Sequence, residues 1–203
     1  MRFTNEAYIK EIIEKLKKID YIRPEEVPNI DLYMDQVTTF MDEHLQEYKR
    51  YPEDKLLTKT MINNYTKNNL LPSPNKKKYS KEHMLLLIFI YYFKNILSIS
   101  DIQSIFEPLT EKYYSNEDGL SLEDIYKGVF ELENEQAGNL TKDLIRKFQK
   151  AKETFAEEKD EQDREFLQMF AFICMLSFDV YTKKVIIEQL IDEAFGEPTR
   201  KKK

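Results

Sequence analysis

Glycine and cysteine are the residue types that this sequence most conspicuously lacks. Only four glycines occur among 203 residues, and none precedes Gly119. The first 118 residues therefore cannot contain a glycine-rich phosphate-binding loop, because such a loop needs several glycines at fixed spacing. The single cysteine, Cys174, excludes an internal disulfide framework and suits a reducing compartment.

Histidine is scarce as well, and neither histidine has a second metal-ligating residue at a suitable spacing in the sequence. His44 and His83 stand apart from any Cys or His at the spacing of metal ligands. Cys174 lies within an apolar run and is expected to be inert core. We therefore expect no catalytic residue, no metal site and no cofactor, and an enzyme is the least favoured class of function.

Hydrophobic runs long enough to span a membrane are missing. The two longest, 84–93 and 166–178, fall short of the roughly 18 residues that a spanning helix needs. Hydrophobic residues make up 41% of the chain, enough for a sizeable core, and charged residues make up 33%. The composition predicts a soluble, cytoplasmic protein with no membrane contact.

Positive charge is concentrated in one segment of an acidic chain. The net charge is −6, yet residues 49–81 contain nine basic and two acidic residues, a local balance of +7 that leaves −13 elsewhere. Such asymmetry indicates a site for a polyanion. A solvated lysine-rich loop accounts for the charge equally well.

Apolar periodicity predicts helices along almost the whole chain. The predicted helices cover 5–19, 31–48, 58–68, a buried helix containing 84–93 after the cap Ser80, a helix from Ser98 to Pro108, 121–136, 140–158 and 162–195. Gly138 is expected to stop one of them, and 177–179 to break the last. Leu86, Ile90 and Phe93 are expected in the core.

Three regions follow from the composition. The polar segment 111–120 contains the first glycine and predicts a boundary. We expect an N-terminal helix extension in 1–28, a middle domain in 29–110 that contains the basic segment, and a helical C-terminal domain in 111–203.

The predicted helix 58–68 combines a buried side with a polar face. Prolines 72 and 74 then force an extended segment that carries three adjacent lysines. A polar-faced helix fits the major groove, where asparagine reads adenine and lysines hold flanking phosphates. The predicted DNA-binding residues are Lys59, Thr60, Asn63, Asn64, Lys67, Lys76, Lys77, Lys78 and Tyr79.

These residues give the chain a resemblance to the MerR-type winged helix. The pattern appears here as Tyr65, Leu70–Leu71, Pro72, the lysines at 76–78, Tyr79–Ser80 and Leu97-Ser98-Ile99 with Ile102. The chain is also similar to a family of Gram-positive bacterial proteins classed as a domain of unknown function with a MerR-like helix-turn-helix, notably at IDLYMDQVTTF and DKLLTKTMINNYTKNNLLP.

The resemblance covers about residues 31–108. It implies an all-α protein with a winged-helix-like, MerR-type N-terminal half, in which 29–110 form a MerR-like winged helix-turn-helix, and a C-terminal helical bundle. It implies a transcriptional regulator that binds double-stranded DNA, with the recognition helix 58–68 in the major groove and the basic wing 72–79 on the backbone. Four features depart from the MerR pattern. No arginine lies in the wing, and the connection 49–57 is long. A polar break follows Pro108 in place of one long dimerisation helix, and there is no set of cysteines for metal sensing.

Two further expectations concern partners. A reader of paired half-sites usually dimerises, and the apolar positions of 166–195 predict a homodimer interface, with simple burial as the alternative: Phe166, Met169, Phe170, Ile173, Ile187, Leu190 and Ile191. The alternative to DNA binding is a protein–protein interaction module on a winged-helix scaffold, since a fold does not fix a function.

Overall fold

The computed structural model describes residues 6–17, 21–115 and 119–196. Its elements are α1 (Glu6–Lys17), β1 (Leu32–Tyr33), α2 (Met34–Leu45), a 3-10 turn (Gln46–Tyr48), α3 (Lys59–Lys67), β2 (Lys78–Tyr79), α4 (Lys81–Phe93), α5 (Ile99–Tyr113), α6 (Leu122–Glu153) and α7 (Glu161–Phe195). The protein is mostly helical, which confirms the all-α prediction. Residues 5 and 18–19 of the first predicted helix lie outside the described residues.

The chain divides into two compact units. The larger unit comprises Tyr21–Phe130 with Ile186–Lys203, and the smaller unit comprises Met1–Asp20 with Glu131–Val185. Helices α6 and α7 each contribute residues to both units.

Helix α4 forms the centre of the larger unit. Every residue from His83 to Tyr91 is buried, because the apolar run has no polar face to present to water. Leu86 and Ile90 are fully buried, as predicted, whereas Phe93 is half-buried and packs against the same core. The predicted caps are also present, since Ser80 precedes α4 and Ser98 accepts the Asp101 N–H at 3.1 Å.

The smaller unit has its own core, built from α1 and parts of α6 and α7. Its buried residues are Ile9, Ile13, Leu144, Phe148, Ala151 and Phe172. The Gln168 side chain donates hydrogen bonds to the Lys152 and Thr154 carbonyls at 2.8 and 3.0 Å, and so satisfies carbonyls that the end of α6 leaves free.

Three predicted helix breaks were wrong. Helix α5 continues through Pro108, and α6 continues through Gly138. Pro108 is exposed, so water can satisfy the carbonyl that proline leaves without a donor. Gly138 is exposed too, and a single glycine costs a helix only about 1 kcal/mol, which 32 residues can absorb.

Helix α7 likewise runs unbroken through the predicted break at 177–179. Asp179 forms an ion pair with Lys147 of α6, and Lys147 also pairs with Asp143. The polar residue therefore has a partner on a neighbouring helix and does not interrupt α7. Within the described residues, no helix has the length and apolarity needed to cross a membrane.

Candidate nucleic-acid interface

Helix α3 is fixed at both ends. Thr58 caps its start by accepting the Met61 N–H at 3.2 Å. At its end, Asn69 adopts a left-handed conformation with φ 56°, and the Leu70 N–H donates to the Tyr65 carbonyl at 2.8 Å. This Schellman ending buries Leu70 beside Tyr65 and stops the helix without a glycine.

The opposite side of α3 is its polar face, which we define as Lys59, Thr60, Asn63, Asn64 and Lys67. All five side chains are exposed. Ile62 and Tyr65 point to the core instead. The nine residues of α3 include no acidic residue, so the polar face carries only positive charge and neutral hydrogen-bonding groups.

One acidic side chain reaches this face from the preceding helix. Asp35, in the first turn of α2, forms an ion pair with Lys59. Both side chains are largely exposed. An exposed pair of this kind contributes at most about 1 kcal/mol, so a phosphate group can replace the carboxylate at Lys59.

Two neighbouring lysines adopt an unusual backbone conformation in the lysine turn, residues 75–78. The Lys78 N–H donates to the Asn75 carbonyl at 2.9 Å, and Lys76 and Lys77 between them have φ values of 49° and 65°. Positive φ at both central residues is typical of a type I′ hairpin turn, which favours Asn-Gly. Both lysines are exposed.

The lysine turn is tied to the fold through a two-stranded antiparallel sheet. Leu32 pairs with Tyr79, and Tyr33 pairs with Lys78. The Tyr79 side chain is only 3% exposed and belongs to the core, so it has no surface to offer a duplex. Of the nine predicted DNA-binding residues, the structure therefore leaves eight accessible, with Lys78 half-buried.

Sequence reasoning missed Tyr33. It lies within the predicted helix 31–48, yet in the structure it precedes α2 and is 55% exposed. The alternation of strand side chains explains the difference, because Leu32 points inward and Tyr33 outward. The Lys78 Nζ lies 5.3 Å from the centre of the Tyr33 ring. Tyr33 thus adds an exposed aromatic group beside the lysine turn.

His83 contacts the chain on both sides of the lysine turn. The Ser80 N–H donates to His83 Nδ1 at 3.0 Å, and the ring also bonds to the backbone of Pro72 and Ser73. The Tyr114 hydroxyl lies 2.6 Å from Nδ1. Burial lowers the pKa of His83, which indicates a neutral ring in the fold.

Acidic residues mark one limit of the positive surface. A cleft of about 480 Å³ beside His83 is lined by the carboxylates Asp31, Glu82 and Glu123. Lys81, at the start of α4, pairs with Glu123 at 2.9 Å. Phosphate groups would avoid this cleft, so the candidate interface ends there.

The long connection between α2 and α3 has its own supports. Leu56 and Leu57 are buried, and the Lys94 Nζ donates to the Leu56 carbonyl at 2.6 Å. Burial lowers the pKa of Lys94. Lys49 pairs with Asp42 at 2.7 Å. Lys49 and Lys94 therefore form contacts within the protein that stabilise the fold.

Besides Lys59, three exposed lysines lie in the polar face of α3 and the lysine turn. Lys67, Lys76 and Lys77 form no ion pair with any residue that the structure describes. Helix α2 contacts both α3 and β2, so the polar face and the lysine turn rest on the same helix.

Comparison with known proteins gives a family but no characterised relative. No curated protein matches the chain, and no solved structure does. One family model, described as domain of unknown function (DUF1836), matches residues 22–129. That segment is more than half of the chain and contains the polar face of α3, the lysine turn and the helices that support them. The protein therefore belongs to the DUF1836 family.

Proposed function

We propose that the larger unit binds double-stranded DNA and that the protein regulates transcription. The polar face of α3 enters the major groove, and the lysine turn contacts the neighbouring phosphate backbone. The arrangement is a MerR-like winged helix-turn-helix, in which the lysine turn is the tip of the wing.

The observation that carries this proposal is the conformation of the lysine turn. A left-handed conformation costs a residue with a Cβ roughly 1–2 kcal/mol, and Lys76 and Lys77 both adopt it. Asn-Gly would remove most of this cost. Strained backbone concentrates at functional sites, and two exposed ammonium groups at a hairpin tip suit binding to phosphates.

The polar face of α3 supplies the second argument. The major groove is wide enough for one helix. Asn63 and Asn64 are exposed on the polar face of α3. An asparagine amide can form paired hydrogen bonds with adenine. Lys59 and Lys67 lie toward the two ends of the helix, where they can reach phosphates on either side.

The neighbouring elements support the winged arrangement. The chain passes from α3 through the lysine turn into β2, which pairs with β1 ahead of α2. The lysine turn therefore follows the recognition helix after a connection of seven residues, 68–74. In the connection 49–57, Leu56 and Leu57 are buried and the Leu56 carbonyl accepts a hydrogen bond from Lys94. These contacts explain how a connection longer than a tight turn can still hold α2 against α3.

A titration with mixed genomic DNA tests the proposal. Fluorescence anisotropy at low salt is expected to show binding to a labelled pool of genomic duplexes, and repeated selection from that pool should recover a preferred site. Absence of binding to every duplex would overturn the proposal. The lysine turn would then be a docking site for an acidic protein, in line with an interaction module on the same scaffold.

A further inference from the structure

The start of α2, residues 33–35, lies between the two surfaces that bind DNA in the proposed function. Tyr33 pairs with Lys78 of the lysine turn in the two-stranded sheet. Asp35 forms an ion pair with Lys59 of the polar face of α3. Two residues apart in the chain, Tyr33 and Asp35 are separated by at most about 7 Å of backbone. A DNA strand that runs from the polar face of α3 to the lysine turn therefore passes the start of α2.

The backbone of Tyr33 is fixed before any ligand binds. Besides its sheet pairing, the Tyr33 N–H donates to Gln36 Oε1 at 2.8 Å, which fixes the first turn of α2. Helix α2 is anchored in the core through Val37, Phe40, Met41 and Leu45. The Tyr33 side chain itself is 55% exposed. An exposed ring on a rigid backbone loses little freedom when it binds a partner, so the position favours a contact.

The Tyr33 side chain offers one neutral hydrogen-bond donor beside a positive charge. The Lys78 Nζ lies over the ring, 5.3 Å from its centre, so the hydroxyl at the edge of the ring and the ammonium group are neighbours. A phosphate group has several oxygens, and each can accept a hydrogen bond at about 2.8 Å. One phosphate can therefore accept from both donors.

Charge at the start of α2 favours a short-range contact. The Asp35 carboxylate would repel a phosphate, but Lys59 offsets its charge. The start of α2 is therefore close to neutral and attracts DNA little over a long distance. A phosphate held at this place needs a hydrogen-bond donor within contact distance, and the Tyr33 hydroxyl is such a donor.

We propose that Tyr33 donates a hydrogen bond to a phosphate of the DNA strand that passes between the polar face of α3 and the lysine turn. This contact rests on the proposed DNA binding and adds a third element to it. In helix-turn-helix complexes the first helix crosses the DNA backbone while the second lies in the major groove, and α2 precedes α3 in this way. Tyr33 thereby positions the protein on the duplex and does not read its sequence.

Tyr33→Phe tests the hydrogen bond, because phenylalanine keeps the ring against Lys78 and removes only the hydroxyl. Fluorescence anisotropy should show roughly three- to tenfold weaker binding to the selected duplex and to a random duplex alike, since one hydrogen bond at a solvated interface is lost. The slope of log K against log salt should keep its wild-type value. Tyrosine carries no charge, so its contact releases no counterion.

Tyr181→Phe is the matched control. Tyr181 is 66% exposed on α7 and belongs to the smaller unit, so the loss of its hydroxyl should leave DNA binding unchanged. Thermal melts followed by circular dichroism check that both variants fold. Their melts should coincide with that of the wild type, because both tyrosine side chains are more than half exposed.

The contacted phosphate can be located on the selected duplex. Replacing single phosphates by uncharged methylphosphonates identifies the phosphates that the protein binds. At one of them the wild type should lose affinity and Tyr33→Phe should lose less, because the variant no longer bonds there. This non-additivity measures the coupling between the side chain and the phosphate. Tyr181→Phe should repeat the wild-type pattern at every position.

The outcomes separate this inference from the proposed function. Wild-type affinity in Tyr33→Phe, or additive effects at every phosphate, would overturn the inference while DNA binding stands, and Tyr33 would then only orient Lys78. A changed preference for the selected over the random duplex would place Tyr33 at a base edge and overturn the phosphate contact. A wild-type protein that binds no duplex would overturn the proposed function itself.

Discussion

Tyr33 and Lys78 face each other across the two-stranded sheet, with the Lys78 Nζ 5.3 Å from the centre of the Tyr33 ring. This pair connects the start of α2 with the end of the lysine turn. Cation–π contacts at exposed sites contribute about 0.5–1 kcal/mol. The contact orients one lysine of the turn and leaves Lys76 and Lys77 without a protein partner among the described residues.

The lysine turn predicts a specific salt dependence. Replacing Lys76, Lys77 and Lys78 by alanine should weaken binding to specific and random duplexes alike, because phosphate contacts release counterions whatever the sequence. The slope of log K against log salt should flatten by up to about 3 units, at roughly 0.9 per contact. Anisotropy titrations at several salt concentrations measure this slope.

A matched variant separates local contacts from net charge. Lys142, Lys150 and Lys159 are exposed and belong to the smaller unit, and their replacement by alanine removes the same total charge. This triple variant should keep the wild-type slope. Equal flattening in both variants would mean that overall charge, and not the lysine turn, controls binding.

The asparagines should affect sequence discrimination instead of salt dependence. Asn63→Ala or Asn64→Ala should reduce the preference for the selected site by about 1–3 kcal/mol and barely change the salt slope. Competition between the selected duplex and a random duplex measures the preference. Asn95→Ala, an exposed asparagine just after α4, serves as the control. An unchanged preference in both α3 variants would exclude base reading by these amides.

The turn conformation predicts opposite effects on stability and binding. Lys76→Asn with Lys77→Gly should raise the free energy of unfolding by about 1 kcal/mol, because these residues accept positive φ more readily. The same change removes two charges and should weaken DNA binding. Urea melts and anisotropy on one preparation compare the two effects. A destabilised variant would contradict the type I′ interpretation of the turn.

The sequence predicted what depends on local chemistry. The bounds of α3, its exposed face and the caps Ser80 and Ser98 follow from side chains within a few residues of one another. The pairing of β1 with β2 could not be predicted from local sequence, because each strand has two residues and the paired residues are more than 40 positions apart. The exposure of Tyr33 and the burial of Tyr79 both depend on that pairing.

The predicted helix ends failed for a related reason. Gly138 and Pro108 disfavour a helix locally, but the penalty is decided by the surroundings, and both residues are exposed to water. The ion pair between Lys147 and Asp179 joins residues 32 positions apart and holds α7 where a break was expected. Composition alone could not reveal these tertiary contributions.

The core of the larger unit should respond strongly to truncation. Leu86→Ala or Ile90→Ala should each lower the free energy of unfolding by about 2–5 kcal/mol, because both side chains are fully buried and leave a cavity. Ile96→Ala should cost much less, since Ile96 is 43% exposed. Urea unfolding measures all three. Similar losses at the three sites would contradict the placement of α4 at the centre.

The buried histidine predicts a loss of stability in mild acid. Burial lowers the pKa of His83 below its ordinary value of 6.5, although the Ser73 and Pro72 backbone and the Glu82 and Asp31 carboxylates act in the opposite direction. The unfolded chain therefore binds a proton at His83 before the folded chain does. Stability is fully present above about pH 6.5 and falls as the pH drops below it.

Protonation would also put a second donor against the Ser80 N–H, which donates to His83 Nδ1. His83→Gln should remove this part of the pH dependence, because glutamine cannot titrate yet still completes a capping box with Ser80. Thermal melts between pH 7.5 and 5.5 compare the two proteins. The wild type should lose stability faster than the variant, and because His44 is present in both, it cancels in the comparison. Parallel profiles would show that His83 does not control acid sensitivity.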